Sequence, residues 1–256
     1  MDRKEIGDLV KSIQASFTSE ELSELFGRSL LSDKAIKRHM ELGSIVIEPF
    51  EPKNLGTVSY DVTLGENYFR EANPSPGRDV LNPYCEEHVR RVWKLQKAET
   101  AYDIAQKANL DLTNLFGKGI SQNDKVIMMS PGETILGHTN EFIGGRKNVT
   151  TMMKARSSLG RNFIEICKCA GWGDVGYVNR WTLEITNNSN YHHIPVVVGR
   201  RIGQLVFFEV EPILNKDYTK TGKYCGSLDV EELKIKWTPE EMLPKMWKDR
   251  EVVGSK

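Results

Sequence analysis

Arg180-Trp181-Thr182-Leu183-Glu184-Ile185-Thr186 alternates between polar and apolar side chains without a break. Residues two apart on an extended chain point the same way. Trp181, Leu183 and Ile185 therefore share an apolar face, while Arg180, Thr182, Glu184 and Thr186 share a polar one. That pattern is a strand of a half-buried sheet. Ahead of it, Ala170-Gly171-Trp172-Gly173-Asp174-Val175-Gly176-Tyr177 packs glycines and an aspartate into a tight turn. Behind it, Asn187-Asn188-Ser189-Asn190 interrupts the pattern again. Over residues 125–212 the same rhythm recurs, with short apolar runs separated by Pro-Gly, Gly-Gly and Gly-Arg-Arg. Many short strands with regular turn signals predict a sandwich or barrel rather than a parallel sheet.

Upstream, Ile45 and Ile47 alternate with Val46 and Glu48, and Tyr60, Val62 and Leu64 alternate with Asp61 and Thr63 up to Gly65. Helical spacing surrounds these strands. Ile6, Leu9, Val10 and Ile13 predict a helix within residues 1–30, with a further start at Thr18-Ser19-Glu20-Glu21. Leu31-Ser32-Asp33-Lys34 predicts another, capped by Ser32 or Asp33, with Ile36 and Met40 facing inward and Gly43 ending it. Val89, Val92 and Leu95 are spaced for helix in a charged, Ala-rich stretch that Phe116-Gly117-Lys118-Gly119 closes. Helix returns at Thr238-Pro239-Glu240-Glu241, where proline suits a first turn. The expectation is one mainly β domain over residues 1–256, carrying a helical N-terminal extension at 1–30, a helical insertion at 84–118 and a C-terminal extension at 228–256.

The chain has 256 residues, with 35 Lys+Arg balanced by 35 Asp+Glu. A duplex-binding domain carries a basic excess, so long nucleic acid is not an expected partner. The apolar runs, such as 194–198 and 202–208, fall well short of the roughly 18 residues of a membrane span. The charged start Met1-Asp2-Arg3-Lys4-Glu5 is not followed by the apolar core of a secretory signal. Cys85, Cys167, Cys169 and Cys225 read as free thiols in a reducing cytoplasm.

Zinc-dependent base deaminases carry His-x-Glu and Pro-Cys-x-x-Cys signatures, and this sequence has neither. Cys167-x-Cys169 offers half a tetrahedral site at most. No Gly-x4-Gly-Lys-Ser/Thr phosphate loop occurs, and His192-His193 reads as a surface turn. In Ala155-Arg156-Ser157-Ser158-Leu159-Gly160-Arg161, arginines flank two hydroxyls. The same residues make a triphosphate cradle or a helix cap with exposed arginines. Glu184 is an ordinary solvated carboxylate if its face is open. If that face lines a pocket, it is a proton carrier whose pKa desolvation would raise. Asp174 caps its turn, or orients a sugar hydroxyl or a water.

Taken in order, these segments resemble the dCTP deaminases and the related trimeric dUTPases. The likeness runs through Leu31-Ser32-Asp33-Lys34-Ala35-Ile36, Val58-Ser59-Tyr60-Asp61-Val62-Thr63-Leu64-Gly65 and Ser130-Pro131-Gly132-Glu133. It is strongest from Arg156 through the Ala170 turn to Thr182-Leu183-Glu184, and continues through Arg201-Ile202-Gly203-Gln204-Leu205 to Lys220-Thr221-Gly222-Lys223-Tyr224. The bifunctional branch, which takes dCTP through dUTP to dUMP, is the nearest in look.

The resemblance implies a distorted jelly-roll-like β-barrel (a dUTPase-like β-clip) that assembles as a homotrimer, or a hexamer of two, with sites between subunits. It implies zinc-independent deamination at cytosine C4. Glu184 would be the general base, Ser157 and the Ala170 carbonyl would position the water, and Arg161 would stand beside that water. Arg156 and Ser158 would face the phosphates. Asp174 would lie near the deoxyribose and, as in dUTPases, activate water for attack on the α-phosphate. Thr182 and Gln204 would complete the substrate-binding set, and Lys223 and Tyr224 would belong to a segment closing over the triphosphate. Mg2+ would be bound through the nucleotide phosphates rather than by side chains. The chain departs from the pattern at Asn179, where glycine is usual, at Gly173, where a bulky aliphatic is usual, and at Ser227, in place of a glutamine. Two other readings fit the same motifs: a dUTPase acting on phosphate only, and a non-catalytic nucleotide-binding homologue.

Overall fold

The protein is described here by a computed structural model covering residues 29–214, 218, 222–224 and 229–254, with isolated positions 2, 4, 5, 7, 8 and 12. Most of the expected N-terminal helical extension, and Ser227, lie outside the described residues. The helix Asp33–Glu41 begins as its sequence predicts. The Ser32 hydroxyl accepts from the Ala35 amide at 3.4 Å, and Gly43 leaves the helix with φ +69°.

Thirteen named strands follow: β1 (Ile45–Glu48), β2 (Tyr60–Thr63), β3 (Asn67–Glu71), β4 (Trp93–Lys97), β5 (Glu99–Thr100), β6 (Lys125–Met129), β7 (Thr134–Gly145), β8 (Val149–Ala155), β9 (Ile164–Glu165), β10 (Trp172–Gly173), β11 (Val178–Asn187), β12 (Ile194–Val197) and β13 (Arg201–Glu209). A six-stranded sheet runs β4-β3-β7-β11-β9, with β1 also paired to β7. A four-stranded sheet runs β10-β8-β13-β2, and a three-stranded one β12-β6-β5. The pairings are antiparallel. The mainly β class with added helices is therefore the observed one. The ladders form three separate sheets around one core rather than a closed ring. That core holds Tyr60, Val62, Leu64, Ile135, Ile143, Leu183, Ile185 and Phe207, all at 1% exposure or less. Burying so much apolar surface is what holds the sheets face to face.

The insertion at 84–118 departs from expectation in its middle. The helix Glu86–Val92 stops at Trp93, and Trp93–Lys97 runs as a strand with Phe69 opposite Leu95. Pairing with β3 satisfies the backbone groups of this stretch, and it leaves Leu95 46% exposed. After the short strand β5, the insertion is helical again over Ala101–Ala108 and Leu112–Phe116.

The C-terminal extension lies across the outer face of the large sheet. The helix Val230–Lys236 is capped by the Asp229 side chain and packs Leu233 against Phe142 and Val178. The Arg180 guanidinium lies 4.6 Å from the Trp237 ring centroid and 5.0 Å from that of Phe142. A 3-10 turn, Pro239–Met242, then buries Met242 and Leu243 against Phe69 and Leu136. This segment thus covers Arg180 on the polar face of β11.

Candidate active site

The ladder sets Glu184 opposite Leu136 of β7, with a parallel bridge to Cys167 on its other side. Leu183 and Ile185 are fully buried on the core face, so Glu184 projects outward, as its alternation requires. A register shift between Arg180 and Thr182 marks a bulge just before it. The outward face is not open. Glu184, Thr182, Ala170, Asp174 and Tyr224 line a single cavity of about 450 Å³. Trp172, Tyr177, Trp181 and Tyr218 give it aromatic walls, and Met242 and Pro244 of the C-terminal extension complete it. Burial pushes the Glu184 carboxyl above the ordinary carboxylate range. Its own amide and the Lys168 ammonium offset part of this, while Glu165 adds to it. A partly desolvated carboxylate in an aromatic cavity holds a proton more tightly than a free one and can exchange it with a planar heterocycle.

Ala170 reaches the cavity because the chain turns just before it. The Ala170 amide donates to the Cys167 carbonyl at 2.8 Å, and Cys169 adopts φ +65°. That left-handed residue also means that Cys167 and Cys169 do not lie on one continuous strand. The Asp174 side chain is exposed at the cavity rim. Its carbonyl accepts from the Tyr177 amide at 2.9 Å. The Tyr177 ring meets Trp181 edge-on at 5.1 Å.

Gly173 has a steric reason. A Cβ there would lie 2.4 Å from Thr151 Oγ1 and 2.6 Å from Trp181 Cζ2, so the indole occupies the volume an aliphatic would fill. Gly173→Val should destabilise the protein by about 1–3 kcal/mol through overpacking. Equilibrium urea unfolding of the variant measures this. Full stability would show that Trp181 does not hold that space.

The remaining residues expected at the site are elsewhere in this chain. Ser157 and Ser158 belong to the short helix Ser157–Gly160, Arg161 follows it, and all three side chains are exposed. Arg156 lines a second cavity of about 1240 Å³, together with Asn140, Glu141, Arg200 and Arg201. Gln204 donates to Asp61 at 3.1 Å, and Arg201 donates to the same carboxylate at 2.8 Å. The chain thus brings together Glu184, Ala170, Asp174, Thr182 and Tyr224, but not the Arg156–Arg161 group. Lys223 pairs with Asp249, and the Tyr224 hydroxyl accepts from the Lys245 amide at 2.9 Å. Sequence reasoning missed Met242, Pro244 and Lys245 because nothing in their local pattern says which sheet face they cover. Asn179 gave a signal, as a departure from glycine. Its Nδ2 donates to the Tyr224 carbonyl at 2.7 Å.

Among the described residues, no group of three or more His, Cys, Asp or Glu side chains could hold a metal ion. No described helix is long and apolar enough to cross a membrane. Cys85, Cys167 and Cys169 are free.

The chain is 30% identical, over 71% of its length and 82% of the relative's, to the "dCTP deaminase, dUMP-forming" of Methanosphaerula palustris. It is also 30% identical to the protein of that name from Methanocaldococcus jannaschii, over 77% of this chain and 91% of the relative. Among solved structures, a 2'-deoxycytidine 5'-triphosphate deaminase from Agrobacterium tumefaciens superposes on 73% of this chain at 18% identity, with a TM-score of 0.47; the match spans half of that protein's length. The model of the dCTP deaminase-like family matches residues 30–210, which include both the Glu184 strand and the Arg156–Arg161 turn, and the chain belongs to that family.

Proposed function

We propose that this protein deaminates dCTP hydrolytically to dUTP and then hydrolyses dUTP to dUMP and diphosphate. One observation carries the reading: Glu184 lies half-buried in an aromatic-walled cavity, beside Thr182, Ala170 and Asp174. In the proposed reaction a water held by the Ala170 carbonyl and Ser157 gives a proton to Glu184 as its oxygen attacks cytosine C4. Glu184 passes that proton to ring N3. Glu184 then takes the remaining proton from the C4 hydroxyl and gives it to the amino group, so that the C4–N bond breaks, ammonia leaves and the C4 carbonyl of uracil forms. Arg161 offsets part of the burial that raises the Glu184 pKa and stabilises developing negative charge. In the second step Asp174 activates a water to attack the α-phosphorus, and diphosphate leaves. The relatives' names, which specify a dUMP-forming enzyme, support this step.

Arg156, Ser158, Gln204 and Lys223 supply donors for the triphosphate. Mg2+ fits as an ion carried by the phosphates. Asp174 offers one exposed carboxylate on the cavity rim, which suits a hydrated ion better than a side-chain cage. It would neutralise charge on the phosphates during diphosphate release.

Ser157, Ser158 and Arg161 are exposed in one chain, and the whole Arg156–Arg161 group lies outside the Glu184 cavity. The working unit is therefore proposed to be a homotrimer, or a hexamer built from two. In it the Ser157–Arg161 turn of one subunit completes the Glu184 cavity of the next. The thiols of Cys85, Cys167 and Cys169, free among the described residues, suit a reducing cytoplasm.

The test is a product assay on dCTP and on dUTP, separated by chromatography, with magnesium and a zinc chelator present. Ammonia, dUMP and diphosphate are expected from dCTP. Accumulation of dUTP alone would remove the second step, and dUMP from dUTP without ammonia from dCTP would leave a dUTPase.

A further inference from the structure

We propose that Asn179 and Lys245 are positioning residues that clamp Tyr224 as a wall of the Glu184 cavity before any nucleotide arrives. The proposal deepens the deaminase reading and rests on it for its kinetic consequence, though not for the clamp itself. Tyr224 is held from two independent sides. On one, Asn179 Nδ2 donates to the Tyr224 carbonyl at 2.7 Å. The orientation of that amide is fixed, because Asn179 Oδ1 accepts from the Arg180 amide at 2.8 Å. Asn179 is 6% exposed and lies on β11, the strand that carries Glu184. The clamp and the proposed base thus share one rigid element.

On the other side is Lys245, between segments of the C-terminal extension that are themselves anchored. Its amide donates to the Tyr224 hydroxyl at 2.9 Å, and its ammonium lies 5.2 Å from the Tyr224 ring centroid. The ammonium also donates to Glu241 at 2.6 Å and approaches the Lys223 carbonyl at 3.5 Å. Lys245 is 8% exposed. A lysine so buried is costly unless its charge is partnered, and here the partners are the Glu241 carboxylate, the Lys223 carbonyl and the Tyr224 ring. Met242 and Leu243, each 3% exposed, tie this segment to the outer face of the large sheet. All of this lies beyond residue 210, where the family match ends.

A wall fixed in advance spares the nucleotide the entropy of ordering residues 222–224, so the clamp improves binding rather than the chemical step. Loss of one neutral hydrogen bond, or of the ammonium contacts, should raise KM for dCTP about fivefold to tenfold with kcat nearly unchanged.

The experiment uses the full chain without nucleotide and reads trypsin cleavage of the Lys223–Tyr224 bond, alongside steady-state kinetics. The wild type should resist cleavage there. Asn179→Gly and Lys245→Ala should be cut at least about tenfold faster, in proportion to the open population. Lys245→Arg, which keeps the charge over the ring, should restore resistance and KM. Circular dichroism confirms that each variant is folded. Equal cleavage of wild type and variants would overturn the clamp, and so would variants that lose kcat with KM unchanged. If the wild type resists and the variants are cut, yet no protein turns over dCTP or dUTP, the clamp stands and the proposed function falls.

Discussion

Glu184→Gln is expected to reduce ammonia release from dCTP by about 10²–10⁴-fold, the range a positioned general base contributes, with KM changed far less. Glutamine keeps the size and the hydrogen-bonding ends of the side chain but cannot take a proton from water. The surroundings of residue 184 also predict the pH profile. Burial raises its carboxyl above the ordinary range; Lys168 opposes that shift and Glu165 adds to it. A base must be ionised to act, so kcat/KM should fall on the acid side with an apparent pKa higher than that of a free glutamate. Stability should move the opposite way. With the folded pKa above the unfolded one, the native state binds the proton more tightly. Stability is therefore greatest below the unfolded pKa and declines as pH rises through the folded one. Glutamine cannot ionise, so the variant should gain thermal stability over the wild type at pH 8 and lose that advantage at pH 4. Stopped assays from pH 5 to 9, with melting curves at the two extremes, check both. Full activity in Glu184→Gln would end the assignment of the base.

The strand that carries this residue was the most legible part of the molecule. Trp181, Leu183 and Ile185 announce their face by alternation alone, and a half-buried strand admits few other readings. Whether the opposite face met water or a cavity could not be read the same way. That depends on residues 237–244, which arrive from far along the chain and whose local pattern is only a proline-initiated turn. The strand at 93–97 was illegible for a related reason. Val89, Val92 and Leu95 fit a helix, and only the edge of β3, a non-local partner, makes extension the better state. Gly173 and Asn179 were visible as departures, but their physical sense appears only when Trp181 and Tyr224 are in place beside them. Local propensity and periodicity thus placed the Glu184 strand and its turn, and long-range packing decided what surrounds them.

A mixture of two inactive proteins should recover activity, because the proposed site draws on two subunits. Arg161→Ala removes the positive charge beside the attacking water and should cost about 10²–10³-fold in kcat, comparable to loss of one preorganised electrostatic donor. Within one chain Arg161 is exposed on the turn after the helix Ser157–Gly160, outside the cavity that Glu184 lines. In a closed head-to-tail ring, each subunit would give its Arg161 turn to one neighbour and its Glu184 cavity to the other. Random reassembly of equal amounts of Arg161→Ala and Glu184→Gln would then pair an intact turn with an intact cavity in about one site in four, restoring about a quarter of wild-type activity. The measurement is ammonia release before and after subunit exchange, with two affinity tags to isolate mixed assemblies. A site confined to one chain cannot be rebuilt this way, since every subunit carries one of the two lesions. Mixed assemblies as inactive as their parents would therefore show that the Arg156–Arg161 turn does not complete the neighbour's cavity.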